Sequence, residues 1–555
     1  MHDHRAADHV VVCAGLWGRL IAEMVGEDLP VMPVDHPLTF FGPYNEFEGT
    51  GKDIGYPLLR DQGNSAYMRD TGDPKTTEGG QIEWGYYEQH NPRMCHPREL
   101  LEKHEARLSP SQRDLEMEQI LEPLERAMEL TPILGELGYN ESHSFNGLLQ
   151  VSAAGGPSCG ESQKVRGLWY CVAIWVKDGP GYGKLIADWM TDGRTEIDHN
   201  SIDYARFYPH QLTEDFIAGR CYEAAQKIYF PAVHTREPYA SGRGAKRSPM
   251  YEREVELGGY FMELGGWERA HGYASNEHLL EVYGDKVPVR ANEWDNRHFW
   301  RVSNAEHLEM TENCGIINLS HFHMTDIEGP DHVALMEWLC AAKIGGDANI
   351  GKGIYTHMLD EQGMVRADFT VFRLADRCRL VNGADAGPRD FHYMKRVAQD
   401  RGLDVTITDT SEKYITIGIW GPNARAILSA VTDADVSHEG FGFGTCREIT
   451  IAGKTVLASR ISYVGDLGWE LYVPMADGLA VWDAIWAAGQ AHGLIPVGIG
   501  VYGTTGRSGD SLVRSHILKI DANQNVGTTT AGTLPSAAAG RTRYPRTSPW
   551  PLGLG

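Results

Sequence analysis

The sequence predicts a multidomain protein of mixed α/β and α+β class, on three observations. Its 555 residues suffice for roughly three to four domains at about 150 residues each. Two segments, near residues 8–25 and 155–189, pass from an apolar run through a glycine-bearing turn into an amphipathic stretch, the strand, turn and helix succession of α/β folds. From about Val255 to Gly506, strand-like runs again alternate with helical spacing.

The opening unit is "DHVVVCAGLWGR": Val10 to Val12 read as strand, Cys13 to Gly15 as turn, and Leu16 to Val25 as helix. Such a turn lets a backbone approach a dinucleotide, yet no Gly-x-Gly-x-x-Gly element precedes residue 8. Up to about residue 90, "LPVMPVDHPLTFF", "GYPLLRDQGNSAYMRD" and "GQIEWGYYEQ" break between Gly, Pro and Asp, which predicts short strands of a mixed or antiparallel sheet. Pro97 to Leu137 carries Leu115, Met117, Ile120, Leu121 and Leu124 near helical spacing and predicts helices covering that sheet. In "GLWYCVAIWVKDGPGYGKLIADWM" a buried strand leads to a turn opened by Gly179, Gly181 and Gly183. "KLIADWM" then begins a helix whose positive end faces that turn. "HTREPYASGRGAKRSPMYERE" predicts a linker. The clearest later strands are "GMVRADFTVFRL", "KYITIGIWG" and "KTVLASRISYVGDLGWELYVP", and residues 506–555, rich in Ser, Thr, Gly, Arg and Pro, predict a disordered tail.

The chain has 75 Asp plus Glu against 51 Lys plus Arg, a formal charge of -24. So negative a surface repels phosphate backbones and anionic lipid, arguing against nucleic acid and membrane partners. The 9 cysteines are scattered and never spaced Cys-x-x-Cys, the pattern of buried thiols in a reducing compartment. No apolar run approaches the roughly 20 residues of a membrane span, and "MHDHRAADH" is no signal segment. A cytoplasmic protein is expected, or a mitochondrial-matrix one in a eukaryote. "LSHFHMTD" sets His321 and His323 on one side of a strand with Asp326 nearby, but no third ligand motif accompanies them, so no metal is expected.

"VVVCAGLWGR", "VDHPL", "LLRDQGNSAYMRD", "VRGLWYCVAI" and "GPGYGKLIADWMTDGRTEIDHNSIDYARF" together resemble the rear part of the FAD-dependent amine oxidoreductase (DAO-like) module of dimethylglycine and sarcosine dehydrogenases. "RSPMYEREVELGGYFMELGGWERAHGY" resembles the central domain of those enzymes. "YTHMLDEQGMVRADFTVFRL" and "ISYVGDLGWELYVP" are similar to their folate-binding half, shared with the glycine cleavage T-protein, an aminomethyltransferase. The resemblance implies a partial FAD domain over residues 1–205, a central domain over 206–270 and a T-protein-like domain over 271–505. It further implies FAD and tetrahydrofolate as cofactors and an N-methyl amine such as dimethylglycine or sarcosine as substrate. Hydride would leave the methyl carbon for flavin, electrons would pass to oxygen or an electron-transfer flavoprotein, and the one-carbon unit would pass to folate. A flavin-independent aminomethyltransferase or demethylase and a non-catalytic folate-binding protein are the alternatives.

The family's first strand, its Gly-x-Gly-x-x-Gly turn and its flavin-linked histidine have no counterpart here, nor has the barrel that follows "GVYGTTGR". An interior piece of a longer enzyme is therefore expected, cut in front and read out of frame behind. Phosphate contacts worth about 1.5–3 kcal/mol each would be missing, which predicts an apoprotein.

By the same resemblance, His36 and Tyr67 fall on the substrate side of the flavin, the histidine tuning protonation and the phenol hydrogen-bonding substrate. A satisfied buried histidine and a strand-packing tyrosine are the alternative. Gly15, Trp17, Gly179, Gly181 and Gly183 would line the cofactor's path, where a Cβ would collide; ordinary turn glycines are the alternative. Asp368 in "VRADFTVF" matches an aspartate beside N10 of folate. Tyr463 and Glu470 in "YVGDLGWE" match residues that hold the pterin, whose aminopyrimidine offers paired N–H donors to a carboxylate. Against this stand Asp368 as a strand-end turn residue and Glu470 on a solvated face, although an unpaired Glu within the apolar "GWELYVP" would be costly.

Overall fold

The computed structural model describes residues 7–52, 55–75, 79–102, 110–228 and 237–503; the expected tail at 506–555 lies outside them. The opening unit folds as the strand Val10–Val12, a 3-10 turn Gly15–Trp17 and the helix Gly18–Glu23. Gly18 lets that helix lie flat on the sheet, because a Cβ there would come 2.7 Å from Val172 Cγ1. Val10–Val12 pairs in parallel with the distant strand Leu168–Val172, which runs antiparallel to Ser158–Glu161.

A second, six-stranded antiparallel sheet follows in the order Leu59–Asp61, Ala66–Asp70, Ile82–Tyr86, Val31–Phe41, Phe145–Ser152, Gln112–Arg113. The expected short strand at "VMPVDHPLTFF" is instead one strand of 11 residues. Partners on both sides hold it together, and Pro33 and Pro37 each remove only one ladder donor. Trp84, Phe41 and Met68 pack beneath Leu124 and Ala127 of the helix Leu121–Leu130. The stretch before that helix is less helical than its spacing predicts: Gln112–Arg113 joins the sheet and Met117 opens a 3-10 turn.

Two further expectations are corrected. Gly179, Gly181 and Gly183 do not form a turn; they lie in the first turns of the helix Gly179–Asp192, with Pro180 fixing its start. The predicted linker is packed structure over its described part: Arg243 binds Glu268 at 2.9 Å, and Ser248 and Met250 are buried. Gly266, in the turn of the hairpin Gly259–Leu264 and Trp267–Tyr273, accepts the Lys246 amide, so this segment runs beside the hairpin as an extra bridge.

The second half holds two sheets. A six-stranded one runs Cys446–Ile451, Lys454–Ser459, Gly468–Pro474, Tyr414–Trp420, Cys314–Asn318, Leu494–Pro496. A five-stranded one runs Lys352–Leu359, Val365–Arg373, Arg377–Asn382, His323–Glu328, Thr406–Asp409. Phe372 and Val381 of the second pack with Trp420 and Tyr472 of the first in one apolar cluster. Among the described residues no helix is long and apolar enough to cross a membrane.

Glu254 ties the bridging segment to both neighbours, accepting hydrogen bonds from the Tyr273 hydroxyl at 2.7 Å and the Asn318 amide at 2.8 Å. Burial outweighs these bonds and pushes its carboxyl from 4.5 up to about 7. The folded state therefore binds more protons than the unfolded one across that window, and the resulting stability is full below it and lost as pH rises through about 7. The thermal midpoint is expected to fall between pH 5 and pH 8. Glu254→Gln, which can satisfy both partners without a charge, should make that fall shallower; an unaltered slope in calorimetry at several pH values contradicts this.

Candidate active sites

The first site lies where the two parallel strands end. Parallel strands deliver their carboxyl ends to one edge, and the crevice outside that edge is where open α/β sheets bind ligands. Gln150 clasps the two loops that leave it: its amide nitrogen donates to Gly15 O at 2.7 Å, and its oxygen accepts the Ala173 amide at 2.6 Å. Both loop positions are left-handed, Gly15 with φ 55° and Ala173 with φ 58°. The Trp175 indole donates to Gln150 O at 3.0 Å. A cavity of about 190 Å³ opens here, lined by Gln150, Gly155, Gly156, Ala173, Trp175 and Lys177. It is smaller than the roughly 300–1,000 Å³ of whole ligand pockets, so it suits part of a planar ring system.

The six-stranded sheet brings a polar and aromatic group to this crevice. His36 and Tyr67 sit on strands separated by Ile82–Tyr86, and Gly85 of that middle strand is what lets them meet. A Cβ on Gly85 would fall 2.2 Å from the Tyr67 ring, so only glycine allows the ring to cross. Tyr67 Oη then lies 3.5 Å from His36 Nε2. The Tyr87 ring stands 4.6 Å from His36 and stacks at 6.3 Å and 12° on Trp175, joining sheet to crevice. Desolvation, and then the Arg60 charge, lower the His36 pKa to about 4. Desolvation also raises the Tyr67 phenol above its usual range.

A second site spans the two later sheets. Glu470 stands mid-strand and only 4% exposed, taking a short hydrogen bond from the Tyr472 hydroxyl two residues on. Burial pushes its carboxyl up to about 7. Tyr463, in the loop before that strand, is 40% exposed and stacks on Tyr502 at 4.4 Å and 21°. Asp368 is exposed in the middle of Val365–Arg373 and accepts the Tyr355 hydroxyl at 3.0 Å. Tyr502 sits among them, its phenol raised by burial first and then by Glu470, Tyr463 and Asp368.

Three family models match the chain in succession: FAD dependent oxidoreductase over residues 2–189, FAD dependent oxidoreductase central domain over 192–248, and GCVT N-terminal domain over 250–505. The chain is an FAD dependent oxidoreductase module joined to a GCVT domain. Mitochondrial sarcosine dehydrogenase of Mus musculus is 29% identical to it over 524 residues, which cover 88% of this chain and 54% of the relative. Mitochondrial dimethylglycine dehydrogenase of Rattus norvegicus is 27% identical over 498 residues, with 88% and 54% covered. Aminomethyltransferase of Listeria monocytogenes serotype 4a (strain HCC23) is 33% identical over 228 residues, 41% of this chain and 60% of the relative. The chain thus spans about half the length of the two dehydrogenases it matches.

In the oxidoreductase module the structure brings His36 and Tyr67 together and sets Gly15 against Gln150. Trp17 packs on the apolar cluster of Leu16, Cys95 and Leu100. At Gly179, Gly181 and Gly183 an added Cβ would meet nothing within 4 Å, so packing does not impose glycine there. In the GCVT domain Tyr463 stacks on Tyr502, whose phenol also feels the charges of Glu470 and Asp368; Asp368 is mid-strand, not at a strand end, and Glu470 is buried, not solvated. His321 lies in a turn before the strand that carries His323 and Asp326, so the two histidines do not share that strand. Arg379 holds both Asp326 oxygens, at 2.7 and 2.8 Å. Gln150, Tyr87, Trp175 and Arg60 escaped the sequence reading; the glycine inside "IEWGY" was the available signal, since glycine in a strand marks a close approach.

Gly85→Ala should cost about 1–3 kcal/mol, the usual penalty for overpacking. In a Tyr67→Ala background the cost should disappear; a denaturant double-mutant cycle showing equal costs contradicts the crossing geometry.

Proposed function

We propose that the chain serves oxidative N-demethylation of a small N-methyl amine carrying a carboxylate, such as sarcosine or dimethylglycine, with tetrahydrofolate accepting the one-carbon unit. The observation that supports this most is the neutral His36, grouped with Tyr67, Tyr87 and Trp175 at the crevice edge. Gln150, Gly155, Gly156, Ala173 and Trp175 would hold the edge of a flavin ring. A bound flavin supplies the hydride acceptor. His36, uncharged above about pH 4, does not repel a substrate ammonium and offers it a lone pair for its proton. Tyr67 keeps its proton and donates a hydrogen bond, while Arg60 supplies the positive charge that a carboxylate requires.

In the GCVT domain Glu470 would accept two N–H bonds from an aminopyrimidine once ionised, with the exposed Tyr463 ring beside it. Asp368 is exposed on the face of its sheet that Phe372 turns toward the other sheet, where a carboxylate could exchange a proton with a folate nitrogen. The relatedness to an aminomethyltransferase supports this half of the reading.

The chain, supplied with FAD under anaerobic conditions, should show bleaching of oxidised-flavin absorbance on adding sarcosine or dimethylglycine, and His36→Asn should slow it about 10²–10⁴-fold. Bleaching unaffected by that substitution, or formaldehyde release needing no flavin, overturns the assignment. Separately, tetrahydrofolate affinity should rise with pH through about 7 as Glu470 gives up its proton, then level off. Glu470→Ala should weaken binding at least about tenfold, as loss of a charge-assisted pair implies; calorimetric titration that is flat with pH and equal for both proteins contradicts it.

A further inference from the structure

The three-stranded sheet carries a row of thiols that no step above uses. Cys159 and Cys171 lie directly opposite each other in the antiparallel ladder of Ser158–Glu161 and Leu168–Val172. The Cys159 amide points away from this partner, donating to Ile202 O at 2.8 Å, while the Ser162 amide donates to Leu168 O at 2.7 Å. Hydrogen-bonded and non-hydrogen-bonded pairs alternate along such a ladder, so Cys159 and Cys171 form a non-hydrogen-bonded pair. Opposed Cα atoms there lie about 4.5 Å apart, within the roughly 4.4–6.8 Å that a disulfide spans, and the two side chains share a face.

Exposure and charge differ along the row. Cys171 is partly exposed, Cys159 is buried against Leu185, Ile186 and Ile202, and Cys13, one residue beyond the parallel partner strand, is exposed. Hydrogen bonding from Cys159, and secondarily from Cys13, holds the Cys171 thiol below its usual range, whereas Cys159 is pushed up. Thiolate character with access is what makes a cysteine react with oxidants.

We propose that Cys171 is an oxidative modification site, at which hydrogen peroxide links it to Cys159 in a disulfide. The Cys171 thiolate attacks one peroxide oxygen; an S–O bond forms, the O–O bond breaks, and the departing hydroxide takes a proton to become water. The Cys159 sulfur then attacks the sulfenic sulfur, forming S–S and breaking S–O, and its proton leaves with the hydroxyl as a second water. Two thiols are oxidised and one peroxide is reduced. The new bond ties together two strands immediately before Ala173 and Trp175, which line the crevice, and so stiffens its wall. This inference stands independently of the function proposed above.

The test is peptide mass mapping of the full chain after hydrogen peroxide treatment and alkylation. A Cys159–Cys171 linked peptide is expected, together with a thermal midpoint raised by a few degrees and restored by dithiothreitol. Cys159→Ser should abolish the link and leave Cys171 to react with dimedone as a sulfenic acid, whereas Cys13→Ser should keep the link. Full alkylation of Cys171 after peroxide, or a Cys13–Cys171 link with Cys159 still reduced, overturns the proposal; the wild-type map alone decides the matter if the Cys159 variant does not fold.

Discussion

The parallel pairing of Val10–Val12 with Leu168–Val172 is the constraint from which the first site follows. It joins segments separated by the whole six-stranded sheet, and the entropy of closing so long a loop grows only slowly with its length. Burial offsets that cost: Val12, Leu29, Val31, Tyr170 and Val172 form one apolar cluster beneath the pair. Because the strands are parallel, both chains leave the sheet at the same edge. Gln150, from the neighbouring sheet, then fixes the two departing loops with both ends of one amide. Any ring placed in the crevice meets loops whose positions are set by that single side chain.

Desolvation organises both candidate sites, with opposite effects on the numbers and one effect on charge. At His36 it lowers the pKa to about 4, and at Glu470 it raises the pKa to about 7. Each change favours the neutral form, since a low-dielectric surrounding penalises whichever state is charged. Each site is thus built around one titratable group held toward its neutral form, and a ligand with its own charge or paired donors would supply what solvent no longer does. Arg379 and Asp326 mark the contrast: they are buried together and bonded in two places, and although burial works against the guanidinium charge, the neighbouring carboxylate keeps the Arg379 pKa above its usual range, so the pair serves the sheet.

Much of this was readable from residue order. The β-branched run at Val10 to Val12 and the glycine after it have few solutions other than strand and turn, and the later strands in "KYITIGIWG" and "GWELYVP" carry enough apolar residues to bury one face or both. Glu470 stood out because a carboxylate in such a strand needs a reason. Helix against turn at Gly179 to Gly183 went wrong because glycine's poor helix propensity was outweighed by Pro180 at the start and by Leu185 and Ile186 packing on the sheet. The basic segment around Arg243 reads as a linker only until Glu268, contributed by the hairpin that follows, is brought beside it.

What the sequence determined by itself was local: most of the strands and which module follows which, while His36, Tyr67, Asp368, Tyr463 and Glu470 entered as candidates through the family resemblance. What only the tertiary structure decided was proximity across strands. Gly85 matters through the Tyr67 ring that it admits, Tyr87 through its stacking on Trp175, and Tyr502 through its stacking on Tyr463. Periodicity along a chain records which face a side chain takes, because backbone geometry repeats every few residues; it holds no record of register between distant strands, which is fixed only when their apolar faces are buried together.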